Sequence, residues 1–142
     1  MSDIFIYTDG GSRNNPGNSG AGAVIYDGDP NSEGAKKLGE VVKFLGVQTN
    51  NWAEYEAVAL ALQRAIELGL SGKKVEVRLD SNLVAEQLSG NWKIKEPALR
   101  VQYEKVSSML ESDFPNTTFT YIPREKNKEA DALANEAMDR GK

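Results

Sequence analysis

Asp9 closes an apolar run, Ile4-Phe5-Ile6-Tyr7-Thr8, and is followed by Gly10-Gly11-Ser12-Arg13-Asn14-Asn15-Pro16-Gly17. The segment reads as a buried strand that delivers one carboxylate to a flexible, backbone-rich loop. The loop's basic residue, Arg13, and its two amides suit phosphate. Three more acids, Glu54, Asp80 and Asp131, stand at the starts of helical patterns. The chain has no His and no Cys. Hydrolytic chemistry here must therefore run on carboxylates, which are hard oxygen ligands suited to Mg²⁺. Two such ions about 3.5–4 Å apart can clamp the attacking and leaving oxygens of a phosphodiester, with no protein nucleophile.

Each acid also has an ordinary reading. Asp9 before two glycines suits a turn. Asn51-Trp52-Ala53-Glu54 has the spacing of a capping box, in which Glu54 would cap its own helix. Asp80, between a strand and a helix, suits an N-cap. Asp131 suits the macrodipole early in the last helix, as Glu125 and Glu129 do equally well. Local roles leave the joint placement unexplained. The expected sheet order sets the ends of the first and fourth strands side by side and brings the starts of two helices to the same edge. Uncompensated acids gathered there would raise one another's pKa values and weaken the fold. Divalent cations would resolve the conflict.

The elements that must hold these acids follow from periodicity. Strands are expected near Asp3–Asp9, Gly20–Tyr26 and Lys37–Gly46, the last two joined by the turn residues Asp27-Gly28-Asp29-Pro30-Asn31 as an antiparallel hairpin. Ala53–Leu68 repeats Val58, Leu62 and Ile66 at helical spacing and ends at Gly69. Lys74–Leu79 alternates as a strand, and a short helix runs from Asp80-Ser81 to Leu88. Pro97 opens a helix through Leu110, Thr117–Ile122 is a β-branched strand, and Glu125–Arg140 is the terminal helix. The order β-β-β-α-β-α-α-β-α predicts an α/β fold: a five-stranded mixed sheet, its first three strands a meander, flanked by helices. Sites in such sheets form at the carboxyl ends of parallel strands, where Asp9 and Asp80 fall.

At 142 residues the chain is expected to be one domain, 1–142. Its charge of −4 runs against a basic, sequence-independent nucleic-acid binder, although four clustered acids would lower the net charge and bound Mg²⁺ would reverse its sign locally. No leader or apolar run of membrane-spanning length is legible, so a cytoplasmic protein without a membrane partner is expected; with no helical pattern apolar all round and no interface stripe, a monomer is expected.

Four motifs carry a resemblance: Tyr7-Thr8-Asp9-Gly10-Gly11-Ser12 with Asn15-Pro16-Gly17, Thr49-Asn50-Asn51-Trp52-Ala53-Glu54, Leu79-Asp80-Ser81, and Asn127-Lys128-Glu129-Ala130-Asp131-Ala132-Leu133-Ala134. In this order, each at its expected strand or helix end, they make the chain resemble ribonuclease HI over nearly its whole length. The resemblance implies a ribonuclease H fold and endonucleolytic hydrolysis of the RNA strand of RNA–DNA hybrids, leaving 5′-phosphate and 3′-hydroxyl ends. It implies two Mg²⁺ ions, with Mn²⁺ as a substitute, held by Asp9, Glu54, Asp80 and Asp131. Asp9 and Asp80 would bridge the ions, and Glu54 would also sense the RNA 2′-hydroxyl, the group that separates RNA from DNA. Gly10, Gly11 and Ser12 would approach the RNA backbone. Asn15 and Thr49 would hold a DNA phosphate, Asn50 would contact the backbone, and Asn82 stands where the family often has a minor-groove Gln.

The sequence departs from that family in two places. Many members carry a His in the loop before the last acid, but here Tyr121-Ile122-Pro123-Arg124-Glu125-Lys126-Asn127 has none. Arg124 is then the candidate for scissile-phosphate binding or product release. The basic protrusion of some members is replaced by the short stretch Gly90-Asn91-Trp92-Lys93-Ile94-Lys95. Trp92 is a candidate to stack on a deoxyribose there, against the plainer reading of a packed loop aromatic. Two rivals stay open. One is a catalytically silent module binding hybrid or double-stranded RNA on the same fold; the other is a different nuclease or integrase-like member of the superfamily. Double-stranded RNA is also a further candidate substrate.

Overall fold

The computed structural model describes residues 2–141. The strands are β1 (Ile4–Ser12), β2 (Gly17–Asp27), β3 (Lys36–Gln48), β4 (Val75–Leu79) and β5 (Thr117–Tyr121). The α-helices are α1 (Asn50–Glu67), α2 (Asn82–Leu88), α3 (Pro97–Asp113) and α4 (Lys128–Arg140). One sheet runs in the order β3-β2-β1-β4-β5. β1 pairs antiparallel with β2, and β2 with β3, so the expected meander and hairpin are present. β4 lies parallel to both β1 and β5.

β1 is the central strand and is covered on both faces. From Ile4 to Gly10 every residue but Tyr7 is buried. On β2 the alternation of side chains divides the two layers. Ala23 and Ile25 join the core of α1, with Val58, Leu62 and Ala65. The opposite face takes α4 through Gly20 and Gly22. A Cβ on Gly22 would stand 2.4 Å from the carbonyl oxygen of Ala130 and 2.5 Å from the amide of Ala134. Glycine on the strand and buried Ala130, Ala134 and Ala137 on the helix thus let the two backbones meet. That contact fixes where the first turn of α4, and Asp131 within it, sits.

Several sequence boundaries shift, each for a visible reason. The loop expected after Asp9 begins only at Arg13. Gly10, Gly11 and Ser12 continue the strand because they pair with Ala21, Gly20 and Ser19. Helix α1 starts at Asn50, capped by the Thr49 hydroxyl, which accepts the Trp52 N–H at 3.2 Å. The capping-box reading of Asn51 to Glu54 therefore fails. Ser81, and not Asp80, caps α2 by accepting the Val84 N–H at 3.3 Å. The terminal helix expected from Glu125 is broken: a 3₁₀ turn, Arg124–Lys126, precedes α4, with Asn127 between them. No helix among the described residues is long and apolar enough to cross a membrane.

Candidate active site

Register brings the first two acids together. Thr8 on β1 is paired with Leu79 on parallel β4, so Asp9 and Asp80 follow side by side, one residue beyond the last pair of that ladder. Glu54 reaches the same point from α1. Its Oε1 accepts the Gly10 N–H at 2.8 Å, a bond between a helix side chain and the strand it crosses. Asn127 anchors the fourth acid. Its buried Nδ2 donates to the Thr8 carbonyl at 2.9 Å, and its own carbonyl accepts the Asp131 N–H at 3.1 Å. The start of α4 is thereby tied to the residue before Asp9.

One carboxylate oxygen from each of Asp9, Glu54 and Asp80 lies within 4.8 Å of the others. With Asp131 they line an open cavity of about 510 Å³. Gly10, Gly11, Ser12 and Asn50 form one wall, and Arg124 stands at the rim. Its Nε is 3.9 Å from Asp80 Oδ2 on a side chain that is 79% exposed. The site is acid-rich and mostly buried, and its electrostatics follow. Burial first, then the charges of Asp80 and Asp131, push the Asp9 carboxyl up to about 8. Burial and the neighbouring Asp9 and Asp80 charges hold Glu54 well above the ordinary glutamate range, with the Gly10 N–H acting against them.

The donor set fits a hard divalent cation. All its ligand atoms are carboxylate oxygens, and Asp80 Oδ2 is buried without a hydrogen-bond partner among the described residues. Such an atom is costly to bury unless something else compensates it. The sign of the pH effect follows from Asp9. Its folded-state value of about 8 lies above the ordinary 3.8, so across that window the folded chain binds more protons than the unfolded one. Without metal, stability is therefore full at low pH and falls as pH rises towards 8. Thermal melting in EDTA is expected to show a lower transition at alkaline than at mildly acidic pH. Mg²⁺ should restore the alkaline value, because a cation that binds only the folded state stabilises it by mass action. A melting temperature in EDTA that is flat or rises over this range would contradict the charge repulsion.

The remaining candidate residues divide into groups. Asn15, Asn50 and Ser12 form a chain at the cavity wall: Asn15 Oδ1 accepts the Asn50 N–H at 3.0 Å, and Asn50 Oδ1 accepts the Ser12 N–H at 2.8 Å; Thr49 precedes Asn50 as the cap of α1. Asn82, the exposed first residue of α2, is not among the cavity-lining residues. Trp92, 45% exposed, lines a separate groove with Lys93, Lys95, Leu83 and Leu99. Sequence reasoning passed over Ser81, Asn51, Asn135 and Met138, which also line the acidic cavity. For two of them a signal existed. Asp131, Asn135 and Met138 follow i, i+4, i+7 spacing and so share one face of α4.

Comparison with known proteins gives concordant results. Residues 7–137 match the family described as reverse transcriptase-like. The chain is 41% identical to the Bifunctional protein Rv2228c of Mycobacterium tuberculosis over 136 residues, 96% of this chain and 35% of that protein. It is 39% identical to Ribonuclease HI of Halobacterium salinarum over 138 residues, 96% of this chain and 64% of that protein. It thus spans about a third of the mycobacterial relative and under two thirds of the haloarchaeal one. Among solved structures, LC11-RNase H1 in complex with an RNA/DNA hybrid superposes with a TM-score of 0.88 at 44% identity, covering 96% of this chain and 97% of that one.

Proposed function

The chain belongs to the ribonuclease H family, and from that premise we propose that it is a metal-dependent endoribonuclease that hydrolyses the RNA strand of RNA–DNA hybrids. The observation that carries this reading is the meeting of Asp9, Glu54 and Asp80 oxygens within 4.8 Å of one another, in a cavity shared with Asp131. The solved relative holding an RNA/DNA hybrid supports the substrate.

Asp9, Glu54, Asp80 and Asp131 are the residues that would hold two Mg²⁺ ions, or Mn²⁺ in their place. Ions held there would supply Lewis acidity and lower the pKa of an attacking water. Water is the nucleophile: its oxygen bonds to phosphorus and the bond to O3′ breaks. The products are a 3′-hydroxyl on one fragment and a 5′-phosphate on the other. Glu54, held beside β1 through the Gly10 amide, would accept from the RNA 2′-hydroxyl. The Thr49 hydroxyl accepts from its own helix and keeps its hydrogen for a DNA phosphate. Asn15 spends its carbonyl on Asn50 and keeps its Nδ2 hydrogens for the same purpose. Contacts of these kinds read backbone and sugar, so recognition is by shape and not by base sequence.

Arg124 takes the part of a phosphate ligand at the rim. Arg124→Ala is expected to lower turnover by about tenfold, in line with the loss of one charge-assisted contact. Unchanged turnover would remove Arg124 from the site. The function itself is tested with a panel of labelled RNA–DNA hybrid, duplex DNA and double-stranded RNA in Mg²⁺. Cutting of the hybrid with duplex DNA left intact supports the reading. Tight hybrid binding without cutting, in Mg²⁺ and in Mn²⁺, favours the silent binding module.

A further inference from the structure

The strand end that carries Asp9 runs on into Arg13, and Arg13 has a partner far along the chain. Its Nη2 donates to Asp139 Oδ1 at 2.6 Å and to the Asn135 carbonyl at 3.4 Å, both on the last turns of α4. Asp139 is 67% exposed and Arg13 is 47% exposed. Met138, between these two acceptors, lies under Gly11. The final turns of α4 therefore face the segment that leads out of the acidic cavity.

Two features set this pair apart from an ordinary surface ion pair. First, Arg13 itself lines the cavity of the four acids. Among the described residues lining it, the only cations are Arg13 and Arg124. Second, Asp139 uses only Nη2. Among the described residues, Nε and Nη1 of Arg13 donate to nothing, and both two-pronged edges of the guanidinium include Nη2, so a phosphate that binds through a fork must take Nη2 from Asp139. An exposed ion pair is also weakly held and readily exchanged for another anion.

Resting on the proposed hybrid-cleaving function, we propose that Arg13 is a phosphate-binding residue of the substrate site and that Asp139 competes with the nucleic-acid backbone for it. In the free protein Asp139 masks part of Arg13's charge. In the complex a backbone phosphate replaces Asp139 on the guanidinium. The C-terminal turns of α4, outside the reaction centre, then set how tightly hybrid is held.

The experiment measures KM and kcat for hybrid cleavage in Mg²⁺ over a range of salt, for the unmodified chain, Arg13→Gln, Arg13→Lys, Asp139→Asn and the double variant Arg13→Gln with Asp139→Asn. Arg13→Gln should raise KM more than it changes kcat and lower the slope of log affinity against log salt by about 0.9, one phosphate contact. Arg13→Lys should keep that slope. Asp139→Asn should lower KM at low salt by about two- to five-fold, the scale of an exposed pair. That gain should vanish when Arg13 is already Gln. An unchanged salt slope in Arg13→Gln would overturn the phosphate contact. An equal gain from Asp139→Asn in both backgrounds would overturn the competition and leave only a general effect of net charge. If the unmodified chain cuts no hybrid, the function itself fails, and this shows before any variant is compared.

Discussion

Asp9→Asn is expected to reduce hybrid cleavage by at least about a thousandfold, since a metal site contributes several kcal/mol to the transition state. The substitution is nearly isosteric and removes one negative charge. Asp9 is only 5% exposed, and its carboxylate neighbours those of Asp80 and Asp131. An amide there keeps the packing and weakens the cation site. The same change should act in the opposite direction on the metal-free fold. Burial and the neighbouring charges hold Asp9 up at about 8, so above that pH its ionised form is a cost that asparagine does not carry. A single-turnover assay and a melting curve in EDTA at alkaline pH check the two halves together. Lost activity with raised metal-free stability is the expected pair. Lost activity with a strongly lowered melting temperature would mean that the carboxylate serves packing.

Gly10→Ala is the substitution expected to damage the fold most. A Cβ on Gly10 would lie 2.1 Å from the Ala53 carbonyl oxygen, 2.3 Å from its carbon and 2.7 Å from the Glu54 amide. All three are backbone atoms of α1, which cannot swing aside as a side chain can. The strand and helix must separate, and the Gly10 N–H loses Glu54 Oε1 as they do. Overpacking against side chains typically costs about 1–3 kcal/mol, and a clash with backbone belongs at or beyond the upper end. A loss of at least about 3 kcal/mol in denaturant unfolding is expected, together with loss of cleavage. Gly11→Ala is the control. Its Cβ would meet nothing closer than Met138 Cε at 3.7 Å, an ordinary contact, so stability should change by less than about 1 kcal/mol. Equal stability for the two variants would contradict the close crossing of β1 and α1.

The sequence carried the sheet and the neighbouring pair of acids because both follow from element order. Once the first strand and Lys74–Leu79 are read as parallel neighbours, Asp9 and Asp80 must emerge together, as the Thr8–Leu79 register has it. Glu54 was harder. Its local spacing suggested a helix cap, but Thr49 takes that role and the carboxylate turns to the Gly10 amide, 44 residues away. No local rule reports a strand and a helix touching at a glycine. Asp131 and Glu129 were also indistinguishable by position in the helix. Two residues apart on a helix means about 200° of rotation, so they face opposite ways. Glu129 goes to the Tyr26 hydroxyl and the Lys37 ammonium, while Asp131 goes to the cavity. Gly10 to Ser12 looked like loop by composition, and only pairing with Ala21 to Ser19 makes them strand. Asp139 gave no signal at all, since its partner Arg13 is 126 residues away.

Clustered carboxylates holding divalent cations would cut RNA by water attack. End-group analysis of a hybrid with both strands labelled, incubated with the full chain in Mg²⁺ and in EDTA, tests it most directly. The expected result is RNA fragments with 5′-phosphate and 3′-hydroxyl ends, an intact DNA strand, and no products in EDTA. RNA cut in EDTA would contradict it by removing the cations from the reaction, and products ending in a 2′,3′-cyclic phosphate would contradict it because the RNA's own 2′-hydroxyl would then be the nucleophile.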